Sequence, residues 1–345
     1  MMKLGIIGLP GAGKTTVFAA LTRQVPDAAQ KGNDLVGTIR VPDPRVNTLT
    51  DMYKPKKTGY VQVEYFLPGK QDPSKHQKGE SSIWTPIRDC HALIHVIKNF
   101  SGYGLGEPTP YNDFLKLHQD LMLADLIVVE RRFERIELDH RRGNKMDPVE
   151  YDLLKECLNN LENEIPLRKH RDFAGEPRLR GYAFVSAKPM LVLFNNDDDV
   201  EHIPDIRGLT SEESCIAIRG KLEEEIAQMA PEEATAFLSE FNIESSAMDR
   251  VIQKSFELLD LISFFTIVHN EVRAWPIKKG TMALDAAGAV HSDMKRGFIR
   301  AEVVSYDDLM NAGSHQAAKK LGTVRLEGKT YQVQDGDIIN FRFNI

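Results

Sequence analysis

The chain has 345 residues, 42% hydrophobic and 27% charged, which is ordinary for a globular protein and long enough for two or three domains. Lys and Arg total 44 against 50 Asp and Glu, a net charge of -6 that argues against a wholesale polyanion binder while leaving room for local basic patches. Three scattered cysteines, Cys90, Cys157 and Cys215, signal neither a zinc site nor a disulfide framework, and no apolar run reaches the roughly 18 residues of a membrane span.

The first apolar stretch, Leu4 to Leu9, is too short for a signal peptide, so a cytoplasmic protein without membrane contact is expected. Leu4-Gly5-Ile6-Ile7 reads as a buried parallel strand. It runs into Gly8-Leu9-Pro10-Gly11-Ala12-Gly13-Lys14-Thr15, the spacing G-x-x-x-x-G-K-T of a phosphate-binding P-loop. Phosphate oxygens need several converging backbone N–H donors, and glycine lets the chain curl that closely. Lys14 is the expected contact to the β- and γ-phosphates and the catalytic candidate, and the Thr15 hydroxyl is the expected Mg²⁺ ligand. The helix beginning at Thr16 turns its N-terminal dipole to the same anion. A purine nucleoside triphosphate, ATP or GTP, is the expected ligand.

Val61 to Phe66 and Ala92 to Ile97 are further strand candidates, with His95 expected as a core histidine inside the second. Residues 114–171 change character. Leu117, Leu121, Ala124 and Val128, then Leu154, Leu158, Leu161 and Ile165, recur at helical steps on either side of Gly143-Asn144 and Asp147-Pro148, which predicts an inserted antiparallel helical hairpin. Its first arm is basic toward the tip (Arg131, Arg132, Arg135, Arg141, Arg142, Lys145) and its second acidic, so salt bridges between the arms are expected ahead of an RNA contact. The α/β pattern resumes at Met190 to Phe194, a strand ending in Asn195-Asn196-Asp197-Asp198-Asp199. A helix-rich stretch follows to about Leu261, and strands dominate from Phe264. The C-terminal module carries scattered Lys278, Lys279, Lys295, Arg296, Arg300, Lys319 and Lys320, for which a solvated surface is the plainer reading and RNA contact the alternative.

The chain resembles the YchF/Obg-like P-loop NTPases, a translation-factor-related family. The resemblance rests on Gly8-Leu9-Pro10 with Gly13-Lys14-Thr15, Val41-Pro42-Asp43-Pro44-Arg45, Lys54-Pro55-Lys56-Lys57, Glu271 to Trp275, Lys295 to Val303 and Val333-Gln334-Asp335-Gly336-Asp337. It implies an α/β P-loop NTPase with a doubly wound sheet over residues 1–113 and 172–262, the hairpin at 114–171, and a C-terminal α+β, β-grasp-like TGS domain at 263–345. It also implies slow nucleotide hydrolysis, often with ATP preferred, and contact with the ribosome or RNA through the TGS domain and hairpin. No recognition of DNA sequence is expected.

Against the D-x-x-G of P-loop NTPases, alignment on Pro68-Gly69 puts Phe66 in place of the aspartate that anchors Mg²⁺, unless Glu64 or Asp72 moves in. Lys31 to Asp34 and Lys70 to His76 stand where the two switch segments belong. Two readings stay open: slow hydrolysis as a switch, or nucleotide binding without turnover as a scaffold. For the base, Asn195-x-x-Asp198 offers an aspartate suited to guanine, Asn196 with Asp199 offers a second register, and Arg219-Gly220 occupies the place of the base-cradling loop. The missing lysine and the family point to adenine, which ranks marginally ahead.

Overall fold

The computed structural model describes residues 2–27, 30, 32–69, 84–102, 104, 106–170, 173, 176–206, 208–240, 246–268 and 270–344. The chain forms two compact units, one of residues 1–39 and 64–251, the other of residues 40–63 and 252–345.

The first unit is built on a sheet of order β2-β4-β1-β5-β6-β7, with β1 Met2–Ile7, β2 Leu35–Arg40, β4 Gln62–Leu67, β5 Ala92–Asn99, β6 Met190–Asn196 and β7 Ser214–Ile218. The pairs β1/β5, β5/β6 and β6/β7 are parallel. Residues Ala92 to Ile97 and all of β6 are buried without alternation, as expected of central strands covered on both faces. Helix α1, Lys14–Thr22, follows β1 directly and buries Val17, Phe18 and Leu21.

The hairpin is present. Its first arm, α3 (Pro110–Arg141), has 32 residues, a rod of about 48 Å, and ends ahead of Gly143, whose φ of 86° breaks the helix. Its second arm, α4 (Pro148–Glu162), starts with Pro148 at its first position and the Asp147 side chain accepting from the Val149 and Glu150 N–H groups. Met122, Val129 and Ile136 pack with Leu154, Cys157 and Leu161 between the arms. The apolar spacing therefore found the hairpin, but with a rotated stripe. Leu117 and Leu121 face the sheet's core instead, Ala124 and Val128 are only partly buried, and Ile165 is 39% exposed. The expected link between arms is made by Arg132, which bonds both oxygens of Glu150 at 3.0 and 2.9 Å.

The second unit has a sheet of order β11-β10-β12-β8-β9-β3, with β3 Lys57–Gly59, β8 Leu261–Val268, β9 Glu271–Lys278, β10 Phe298–Ser305, β11 Arg325–Glu327 and β12 Asp337–Phe343. Helix Ala283–Val290 lays Ala283, Ala286 and Ala287 against Ile262, Phe264, Ala301 and Ile339 in a β-grasp-like core. Residues 40–63, which the sequence reading grouped with the phosphate loop, contribute α2 (Pro44–Tyr53) and β3 to this unit. The cause is a clamp. Arg45, just inside α2, bonds both oxygens of Asp43 and both of Asp335, while Asp335 also accepts from the Ser263 N–H at 2.9 Å and Arg45 lies over the Phe265 ring. β3 then adds to the sheet edge in parallel register with β9, Lys57 opposite Glu271.

Candidate functional site

Gly8 to Thr15 form the turn between β1 and α1. A Cβ at Gly8 would stand 2.4 Å from the Val96 carbonyl oxygen, so only glycine lets β1 leave the sheet this close to β5. Gly13 has φ 87°, and a Cβ there would meet the Asn195 amide nitrogen at 2.2 Å. Gly11 is also left-handed, at φ 80°. The turn is closed by the Ala12 N–H donating to Leu9 O and the Val17 N–H to Gly13 O. Lys14 folds back over it, its Nζ donating to Gly8 O and Leu9 O at 2.8 Å each. No side chain caps the first turn of α1, and a helix N-terminus favours an anion there. Thr15 is exposed, whereas the Thr16 hydroxyl donates to the carboxylate of Glu224, whose pKa burial raises.

The asparagine at the end of β6 has a mainly structural position. Asn195, 4% exposed, donates from Nδ2 to Ala12 O at 3.1 Å and accepts at Oδ1 from the Gly220 N–H at 3.0 Å. It straps the phosphate loop to the start of helix α5 (Gly220–Gln228), and both ends of its amide are engaged by main chain. A Cβ at Gly220 would come within 2.3 Å of Asn195 Oδ1, which explains the glycine. Arg219 Nη1 pairs with Glu201 at 2.8 Å. Asn196 is committed too, donating to Val200 O and His202 O and accepting from Asn99. Asp197 accepts from the Ser101 N–H, while Asp198 and Asp199 are exposed. Phe100, which the sequence reading passed over, stands 3.9 Å from where a Gly13 Cβ would be, beside the strap. Its signal was its place just past β5, visible only once β5 is known to neighbour β1.

Neither Phe66 nor Glu64 offers a second Mg²⁺ anchor among the described residues. Phe66 is 4% exposed in the sheet's core, with the Lys3 ammonium 4.1 Å from its ring centre. Glu64 is drawn to the same Lys3, 3.9 Å away, at the start of β1 rather than at its phosphate end. No cluster of three His, Cys, Asp or Glu suited to a metal occurs among the described residues. Lys31, and Lys70 to His76 with Asp72 among them, lie outside the described residues. Asp34, at the edge of the first switch position, accepts from the Gly69 N–H at 2.8 Å. His95 is indeed a core residue, 1% exposed and stacked on Phe114. Burial, helped by the positive charge of Arg168 and Lys14 and by the nearby His118 ring should it protonate, pushes its pKa down to about 3, so it is neutral.

A family model described as YchF-GTPase_C, a protein of unknown function, matches residues 261–344. Over 99% of both chains the sequence is 36% identical to the Ribosome-binding ATPase YchF of Bacillus subtilis (strain 168) and 34% identical to that of Escherichia coli O157:H7. The fold is similar to the solved structure of the Schizosaccharomyces pombe YchF GTPase, with TM-score 0.77 and 25% identity, covering 99% of this chain and 97% of that one. No helix among the described residues is long and apolar enough to cross a membrane.

Proposed function

This chain belongs to the YchF family, and from that premise we propose that it binds a purine nucleoside triphosphate through Gly8 to Thr15 and associates with ribosomes in the cytoplasm. The observation that carries the first half is the start of α1, which no side chain caps, beside a lysine whose Nζ folds back onto the carbonyl groups of Gly8 and Leu9. Lys14 exchanges those carbonyl oxygens for phosphate oxygens, while Gly11 and Gly13 turn their N–H groups to the same anion. Asn195 holds the loop in shape from behind rather than reading the base. Asp198 is then the base reader. An aspartate accepts two hydrogen bonds from the N1–H and N2–H₂ of guanine, donors that adenine lacks. The strap therefore favours the register of Asn195 with Asp198, and with it GTP at least on a par with ATP.

The residues fit a triphosphate better than they fit Mg²⁺. Thr15 is the residue that would hold the ion, which supplies neutralisation of phosphate charge when bound. The residue aligned with the second anchor is an apolar core side chain. Slow turnover resting on Lys14 and the backbone is the consequence, and nucleotide binding without turnover is the limiting case. Calorimetry with ATP and GTP, on the wild type and on Lys14→Ala, tests the reading. Saturable binding lost in the variant supports it, and equal binding in both proteins overturns it. Co-sedimentation with ribosomes, with and without triphosphate, tests the second half: nucleotide-dependent association supports a switch, and nucleotide-independent association a scaffold.

A further inference from the structure

Among the described residues, both ring nitrogens of His95 and Nη1 of Arg168 are buried without a hydrogen-bond partner, in residues that lie behind the wall of a cavity rather than in it. Each such group forfeits a hydrogen bond it had in water. The rings connect them. His95 stacks on Phe114 at 5.8 Å, Phe114 meets His118 edge-on at 5.0 Å, and His118 Nε2 lies 3.3 Å from Arg168 Nη2. Phe114 and His118 line a cavity of about 510 Å³ at the base of the hairpin, within the size range of small-molecule sites. Tyr111, Met122, Ile165 and Leu209 supply further apolar wall.

The chemistry of the wall selects a ligand. A guanidinium has only protons to offer, so His118 Nε2 accepts from Arg168 and the neutral ring carries its proton on Nδ1. Burial, and then the Arg168 charge, push the His118 pKa down to about 4, which keeps the ring neutral. Nδ1–H is therefore the remaining donor of a ring that lines the cavity. Arg168 is neutralised by Glu213, at 2.8 and 3.3 Å, leaving one cation at the wall, Lys169, against two carboxylates, Glu164 and Glu212. Lys169 itself lies 3.1 Å from Glu213. That balance disfavours an anion and offers acceptors to a ligand N–H. The aromatic wall favours a flat ring.

We propose that this cavity is a binding site for a neutral heteroaromatic carboxamide or lactam, its ring against Tyr111 and Phe114, its carbonyl oxygen accepting from His118 Nδ1–H, and its N–H donating to Glu164 or Glu212. The site is separate from the phosphate loop and does not depend on the nucleotide reading.

The test is a saturation-transfer NMR titration of the full chain with nicotinamide, and with nicotinate as its charged counterpart. Saturable nicotinamide binding is expected, at least tenfold tighter than nicotinate. Gln119→Trp and Ile165→Trp place a large side chain at the mouth from exposed positions that leave the fold intact, and each abolishes the signal. His118→Phe keeps the aromatic wall but removes the donor, and weakens binding about tenfold. Lys14→Ala leaves it unchanged. Absence of saturable binding, equal binding of nicotinate, or binding that persists in both tryptophan variants overturns the proposal.

Discussion

Replacing Asn195 by alanine removes a side chain that does two things at once. It deletes the donor to Ala12 O and the acceptor for the Gly220 N–H, at 3.1 and 3.0 Å, and leaves both main-chain groups without that partner in a site where Asn195 itself is 4% exposed. Two such losses in a buried setting cost about 2–4 kcal/mol, a large share of the roughly 5–15 kcal/mol that holds a typical domain together. The loop also loses its brace, so triphosphate affinity falls with stability. Asn195→Asp separates the two roles: its carboxylate still accepts from Gly220 but opposes the Ala12 carbonyl oxygen with a negative charge. Urea denaturation monitored by circular dichroism, alongside calorimetric titration with nucleotide, reads both effects. Asp198→Ala is the control, because Asp198 is exposed and its loss is expected to change the choice of base without changing stability. If Asn195→Ala loses less than about 0.5 kcal/mol and binds nucleotide like the wild type, the strap is not what organises the loop.

Arg45→Ala opens the clamp on Asp43 and Asp335 and is expected to cost about 1–2 kcal/mol, discounted because Asp335 is half exposed. Hydrogen exchange over β3 and β8 reads the loss, and Arg45→Lys restores little because lysine cannot form the paired fork. His95 carries a folded pKa near 3 against an unfolded value of about 6.5, so the unfolded chain binds the extra proton and stability falls as pH drops below 6.5. The loss from this residue reaches about 2 kcal/mol by pH 5, and a flatter stability profile between pH 6.5 and 5 in His95→Phe checks it; an unchanged slope refutes it. Phe66→Asp, which the alignment alone would cast as restoring a Mg²⁺ anchor, instead buries a carboxylate in the sheet's core beside Lys3. A fall in melting temperature that Mg²⁺ does not reverse is expected, and a Mg²⁺-dependent gain in nucleotide affinity would show that the side chain reaches the site after all.

The phosphate loop was legible in the sequence because everything it needs is local: three glycines, a lysine and a threonine within eight residues, between an apolar strand and a helix. The hairpin was legible for the same reason, since helical periodicity and the Asp147-Pro148 start are properties of adjacent residues. Which face each arm buries was not, because Leu117 and Leu121 pack on the sheet while Met122, Val129 and Ile136 pack on the second arm, and periodicity cannot name the neighbour. Family resemblance supplied Asn195 as a site residue; only the fold set its Nδ2 against Ala12, 183 positions away, and so made it a strap. Phe66 was singled out by alignment as a lost metal ligand, and the structure gives it a positive role in the core. Residues 40–63 are the clearest case of tertiary decision. Their composition belongs with the strands and helices around them, but Arg45 meets Asp335 across 290 positions, and that long-range ion pair together with β3 pairing on β9 decides which unit they complete. The cavity beneath the hairpin is of the same kind: its aromatic, imidazole and guanidinium groups come from separate segments, and only packing brings them to one wall.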